Sequence, residues 1–220
     1  MIYNVIGSGS SGNAVILDKR ILIDCGVPFK QLQPFAKDLR LVLLTHRHGD
    51  HFREATIRRL AETRPTLRFA MCDWMVPLTV DIIQPSNVDI MHSDKEYQYS
   101  DFSVSPFDLV HDVPNCGWRI HLDVPDYKVL YATDTGTMDG ITAKDYNLYM
   151  IEANHDREEI ERRAREKIDH GEYAYEIRAA ANHLSKQQTD EWLMENAAEW
   201  SDILYLHQHR EKSHGEHDSV

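Results

Sequence analysis

Residues 41–51, Leu-Val-Leu-Leu-Thr-His-Arg-His-Gly-Asp-His, begin as a buried-type strand and end as a cluster of metal-ligand side chains. His46, His48, Asp50 and His51 place three imidazoles and one carboxylate within six residues. Neutral imidazole and carboxylate suit zinc-like cations, and no cysteine lies nearby to suggest a closed thiolate site. In an extended or turn conformation, His46 and His48 can face one ion. Asp50 and His51, one step further round the turn, can face a second. A solvated His-rich turn is the bland alternative, and a strand as apolar as 41–44 argues against it.

The 220 residues suffice for one domain with a full core, and a hydrophobic content of 42% is ordinary for a globular chain. No apolar run is long enough to span a membrane, and the N-terminus lacks a signal-peptide layout. Cys25, Cys72 and Cys116 are odd in number and widely spaced, which points to a reducing cytoplasm rather than a disulfide framework. The net charge of −12 excludes a general nucleic-acid coat but not an enzyme acting on nucleic acid, because bound cations add charge that the count omits. Arg53, Arg58, Arg59, Arg64 and Arg68 read either as a solvated helix face with charge pairs or as a phosphate track.

Periodicity predicts strands over 2–6, 14–18, 20–24, 41–45 and 67–71, with helices over 29–38 and 53–63 and a loose helical stretch to about 80. Further β-type segments follow at 88–92, 96–100, 102–110, 117–123, 127–132 and 146–152. A charged helix is expected over 156–168. Ser185 to Gln188 fits a capping box opening a helix to about Trp200, and 202–206 is a last strand. Strands early, alternation later and helices on both outer faces make a mixed α/β (α+β) chain, a single domain with four layers, αββα.

The stretch Thr45 to His51 resembles the H-x-H-x-D-H signature of the metallo-β-lactamase fold. That signature is specific for the fold and weak for the substrate. A dinuclear site needs more ligands than 46–51 offers, and they should end later strands. His111 follows the apolar run 107–110, Asp134 the strand 128–131 and His207 the strand 203–206. The resemblance makes them the third-motif histidine, the metal-bridging aspartate and the fifth-motif histidine. It implies two divalent ions, zinc by default or manganese, on His46, His48 and His111 and on Asp50, His51 and His207, with Asp134 shared. His209 is the alternative to His207, and His214 and His217 read as tail. His92, His121 and His170 read as ordinary surface or core histidines.

Residues 7–13, Gly-Ser-Gly-Ser-Ser-Gly-Asn, form a small-residue loop able to offer N–H groups to a phosphate. This loop, Ile151 to Asp156 and Asn182 to Ser185 resemble segments of the YycJ/WalJ-like group of that fold, nucleases related to RNase Z. By that likeness Glu152 and His183 assist phosphate positioning and leaving-group protonation, with Glu152 holding His183 and His155 in support. Asp50, Glu152 and His183 are the candidate catalytic residues. Asn182 stands where the group has Gly, and His207 lacks the group's following Leu/Phe-Ser. The 73 residues from Asp134 to His207 leave no room for a β-CASP insertion. No Gly/Pro-rich tRNA-binding arm lies between His51 and His111. The expectation is a metal-dependent phosphodiesterase on nucleic acid, DNA before RNA and from an end, using a metal-bridging hydroxide. The alternative is a small-molecule ester, thioester or lactone hydrolase.

Overall fold

The computed structural model describes residues 2–208. Its first sheet has the spatial order β1 (Tyr3–Gly7), β2 (Ala14–Leu17), β3 (Ile21–Ile23), β4 (Leu41–Leu43), β5 (Arg68–Cys72) and β6 (Val88–Met91). The first three strands pair antiparallel and the rest parallel. The second sheet runs in reverse spatial order, from β12 (Asp202–Leu206) through β11 (Leu148–Glu152), β10 (Tyr127–Ala132), β9 (Asn115–Leu122) and β8 (Phe102–Leu109) to β7 (Tyr97–Gln98). It is antiparallel from β7 to β10 and parallel from β10 to β12.

Side-chain alternation along the strands explains the layers. Leu41 and Leu43 point into the core between the sheets, against Trp118, Ile120 and Tyr131 of the second sheet. Val42 and Leu44 point the other way, into a second core with Leu32 of α1 (Phe29–Leu32) and Ile57 and Leu60 of α2 (Glu54–Thr63). Leu130, Tyr149 and Ile151 form a third core with Leu193 of α5 (Lys186–Asn196). Both faces of each sheet are covered, which is why the central strands are apolar throughout rather than alternating. The result is the expected αββα sandwich.

Several boundaries differ from expectation. The first helix stops at Leu32 rather than residue 38, and turns containing Pro34, which has no N–H to donate, carry the chain onward. The loose helical stretch is a 3₁₀ segment over Asp73–Leu78 with Pro77 inside it. The strand expected over 96–100 shrinks to two residues. The capping box at Ser185 is present, but its helix ends at Asn196 rather than near Trp200. The charged helix is α3 (Arg157–Asp169), capped by Asp156. One helix escaped the sequence reading, α4 (Tyr175–Asn182). It starts after Ala174, with no capping side chain to announce it, although its alanines favour helix.

Candidate metal centre

The strand ends converge where the two sheets open at one edge. The turn after β4 carries His46, His48, Asp50 and His51. His111 follows β8, Asp134 follows β10 and His207 follows β12. Ligand-type atoms of His46, His48 and His111 lie within 4.8 Å of one another, and so do those of Asp50, His51 and His207. Asp134 Oδ2 is 2.9 Å from His51 Nε2, and Asp134 Oδ1 is 3.6 Å from His207 Nδ1. Asp134 also groups with His46 and His51. The side chains of both sets expected from the sequence thus lie together, with Asp134 touching the second and grouped with His46 of the first; Asp134 and His207 also group with Glu152 and His183. His209, His214 and His217 lie outside the described residues.

Backbone conformation aims several of these groups. Asp24, Asp134 and His207 have φ of 59°, 60° and 51°, left-handed values that strain non-glycine residues by about 1 kcal/mol or more each. All three follow a strand directly or within two residues, so the strain turns their side chains toward the cluster.

The atoms left without partners outline a cation site. Buried Asp134 Oδ2 has the His51 Nε2 contact at 2.9 Å as its close neighbour, and His46 Nε2 and His207 Nε2 are buried without a hydrogen-bond partner among the described residues. Buried polar atoms are rarely left so. The opposite ring nitrogens are engaged: Thr45 Oγ1 meets His46 Nδ1 at 3.0 Å, and Glu152 Oε1 meets His207 Nδ1 at 2.8 Å. That is how metal-binding imidazoles are oriented. The donors present therefore fit divalent ions.

Electrostatics agree. Burial pushes His46 down, neighbouring imidazoles add to it, and its pKa falls to about 2, so the ring stays neutral and ligand-ready. Burial likewise lowers His111. Burial also disfavours a charged His207, but Asp50, Glu152 and Asp134 more than offset this and raise it to about 10. The carboxylates call for positive charge at that spot. Asp50 is held below the usual carboxylate range despite burial, chiefly by its contact with His207.

Three supporting residues were not foreseen. Asp24 is fully buried, and its Oδ2 lies 2.7 Å from His51 Nδ1 while it accepts from the Thr45 amide and hydroxyl. Asn13 donates its side-chain amide to the Asp50 carbonyl and lies 2.7 Å from His51 Nε2. Asp112 lies 3.3 Å from both His48 Nε2 and His111 Nε2 and pairs with Arg178 of α4. Asp24 closing an apolar strand was the available signal; Asp112 and Asn13 had none.

The small-residue loop serves these groups more than a phosphate. The Gly9 amide donates to Asn13 Oδ1, Gly12 to the Gly9 carbonyl and Asn13 to the Asp50 carbonyl, so three amides are spent internally. Ser8 Oγ accepts from the His207 amide, and only Ser10 lines the cavity.

Glu152 is fully buried. Its Oε1 meets His183 Nδ1 at 2.7 Å as well as His207, and its Oε2 accepts from the Thr135 and Leu184 amides. The expectation that it holds His183 is too narrow, because one oxygen serves two imidazoles. Burial disfavours a charged His183, but Glu152 and then Asp134 outweigh it and raise the pKa. His183 Nε2 remains for a ligand in a cavity of about 360 Å³, lined also by His48, Asp50, His111 and Asp134. The backbone of His155 brackets Ser185, and burial first and the nearby His183 in addition hold its imidazole pKa down. Of the arginines after the motif, Arg58 and Arg59 pair with Glu54 and Glu62, Arg64 holds carbonyls and Arg68 pairs with Asp89. His121 pairs with Asp126, and His170 closes α3.

The chain is similar to known proteins. Residues 19–199 match the family model of the beta-lactamase superfamily domain. Exodeoxyribonuclease WalJ of Streptococcus pneumoniae is 26% identical over 93% of this chain and 80% of its own length. Exodeoxyribonuclease YycJ of Bacillus anthracis is 25% identical over 71% and 64%. In fold, the metallo-beta-lactamase fold protein YhfI of Bacillus subtilis superposes with a TM-score of 0.71 at 19% identity, covering 95% of this chain and 86% of that one. The short form of human tRNase Z gives 0.68 at 16%, covering 96% and 93%. With most of its length inside the family match, the chain belongs to the beta-lactamase superfamily.

Proposed function

We propose that this chain is a metal-dependent phosphodiesterase that shortens nucleic acid, DNA in preference to RNA, from an end. His46, His48 and His111 would hold one divalent ion and Asp50, His51 and His207 a second, with Asp134 shared; zinc is the default and manganese the alternative. When bound, such ions stabilise charge on phosphoryl oxygens and make a water-derived nucleophile available at neutral pH. The chain's own contribution is a proton. His183, clamped through Nδ1 by buried Glu152, is favoured in its protonated form and presents Nε2 to the cavity. It donates that proton to the departing sugar oxygen. Asp50 lines the same cavity and orients the reacting groups.

The His183–Glu152 pair is the observation that carries this reading, since the ion ligands alone serve many hydrolyses. The exodeoxyribonuclease names of the relatives support the substrate class. Residues between His51 and His111 build α2 and strands β5 to β8, which supports the chain acting as one domain. All three cysteines are buried free thiols, which supports a reducing, cytoplasmic site of action; among the described residues no helix is long and apolar enough to cross a membrane.

The test is an assay of metal-loaded protein on end-labelled DNA and RNA, bis(p-nitrophenyl) phosphate and an acyl-homoserine lactone. Phosphodiesters should be cleaved and the lactone left intact. Robust lactone turnover without cleavage of any phosphodiester would reverse the assignment in favour of a small-molecule hydrolase.

A further inference from the structure

A second cavity opens between α3 and α4 beside the metal cavity. Its lining includes Asn154, His155, Ile160, Tyr175, Glu176 and Ala179. Tyr175 and Ala179 also line the metal cavity, so the two share a wall. The space measures about 100 Å³. At roughly 10–15 Å³ for each water-sized sphere, that admits a planar group of about eight heavy atoms, the size of a pyrimidine ring with its substituents.

Glu176 is only 3% exposed, and Lys167 pairs with its Oε1 at 2.6 Å. Its Oε2 is buried without a hydrogen-bond partner among the described residues, and so is His155 Nδ1. A buried carboxylate oxygen in that state needs an N–H or O–H donor. Tyr175 keeps half its surface open, and the Lys167 ammonium lies 3.9 Å from its ring centroid. Lys167 therefore holds both the ring and the carboxylate in place. Charge decides which part of a nucleotide enters. Asp156, Glu159 and Glu176 outnumber Arg163 along this cleft, and Arg163 pairs with Glu159, so the lining opposes a phosphate. The neighbouring cavity also carries Asp50, Asp112 and Asp134, and Arg178 pairs with Asp112, so its draw on a phosphate rests on the divalent ions proposed above and on His183.

Resting on the nuclease reading above, we propose that the α3–α4 cleft binds the terminal base of the strand while its phosphodiester lies over the metal centre. Tyr175 stacks on the base, and Glu176 accepts from an amino or imino group on its edge. Aromatic stacking discriminates little among bases that fit, so within the size limit of the cleft the site marks an end more than a sequence. It also supplies affinity that an acidic chain cannot draw from a basic surface.

The experiment compares metal-loaded wild type on paired single-stranded DNA oligonucleotides, identical except that one member of each pair has an abasic terminal nucleotide, at the 5′ end in one pair and the 3′ end in the other. The readout is the ratio of kcat/KM for base-bearing over abasic DNA within each protein, so partial loss of folded enzyme cancels. At the attacked end the wild type should favour the base-bearing strand by about 5- to 150-fold, and Tyr175→Leu should bring that ratio to within about twofold of unity. Glu176→Gln should reduce it partly. A wild-type ratio near one, or an undiminished ratio in Tyr175→Leu, overturns the base pocket while leaving the nuclease reading intact. Failure of the wild type to cleave any of the oligonucleotides overturns both.

Discussion

At the residue scale, the shared oxygen of Glu152 matters most. It links a histidine in the candidate ligand set, His207, with one outside it, His183, at 2.8 and 2.7 Å. The two roles separate on mutation. His183→Ala should keep its metal and lose roughly 10²–10⁴ in turnover, more for an alkoxide leaving group than for nitrophenolate, which needs little protonation. Glu152→Gln turns one acceptor into a donor that faces other donors. It should weaken metal retention about 10- to 100-fold as well as slowing turnover. Metal titration with parallel kinetics checks the pair. Metal loss in His183→Ala would make His183 a ligand, and undiminished affinity in Glu152→Gln would remove the link through Glu152. The candidate ligands were legible because each follows an apolar strand in the chain. Asp112 and Asn13 were not legible, because what brings them to the site is spatial closeness and not spacing.

At the scale of elements, the metal-binding turn is held by its neighbours more than by its own glycine. A Cβ at Gly26 would sit 1.7 Å from the Asp50 carbonyl oxygen and 2.7 Å from the Asn13 amide. Backbone of two other segments has to move to admit it. Gly49, inside the turn, has nothing within 4 Å of a Cβ and no left-handed φ. Gly26→Ala should therefore cost about 3 kcal/mol, roughly 6–12 °C in melting temperature for a domain of this size, and impair metal retention. Gly49→Ala should melt within about 2 °C of wild type and keep its metal. Thermal melts and metal analysis of both variants check this; equal behaviour of the two would refute the close-packing argument. The missed helix α4 has functional weight too. Its last carbonyl, on Asn182, lies 3.2 Å from His111 Nδ1, and its end delivers His183. Without a capping residue or a clean apolar stripe, its start gave no sequence signal.

For the whole molecule, the site lies at the edge of three apolar cores that do not depend on it. Chelation should therefore leave the secondary structure intact and still lower stability, since three buried carboxylates, Asp24, Asp134 and Glu152, and the half-buried Asp50 face the cluster. An ion at about a thousandfold excess over its dissociation constant contributes about 4 kcal/mol, so removal should lower the melting temperature by roughly 8–16 °C, and Zn²⁺ or Mn²⁺ should restore it. Circular dichroism melts before and after chelation decide the matter. An unchanged melting point, or a chain unfolded once stripped, would contradict this division between cores and site. The αββα layering, most strands and the histidines and aspartates that end them followed from sequence alone, because apolar periodicity and strand-end position are local properties. Tertiary structure alone decided that Glu152 serves two imidazoles, that Asp24, Asp134 and His207 adopt left-handed conformations, and that α3 and α4 enclose a cleft beside the metal cavity. Those features depend on the approach of segments distant in the chain, and no local spacing encodes that approach.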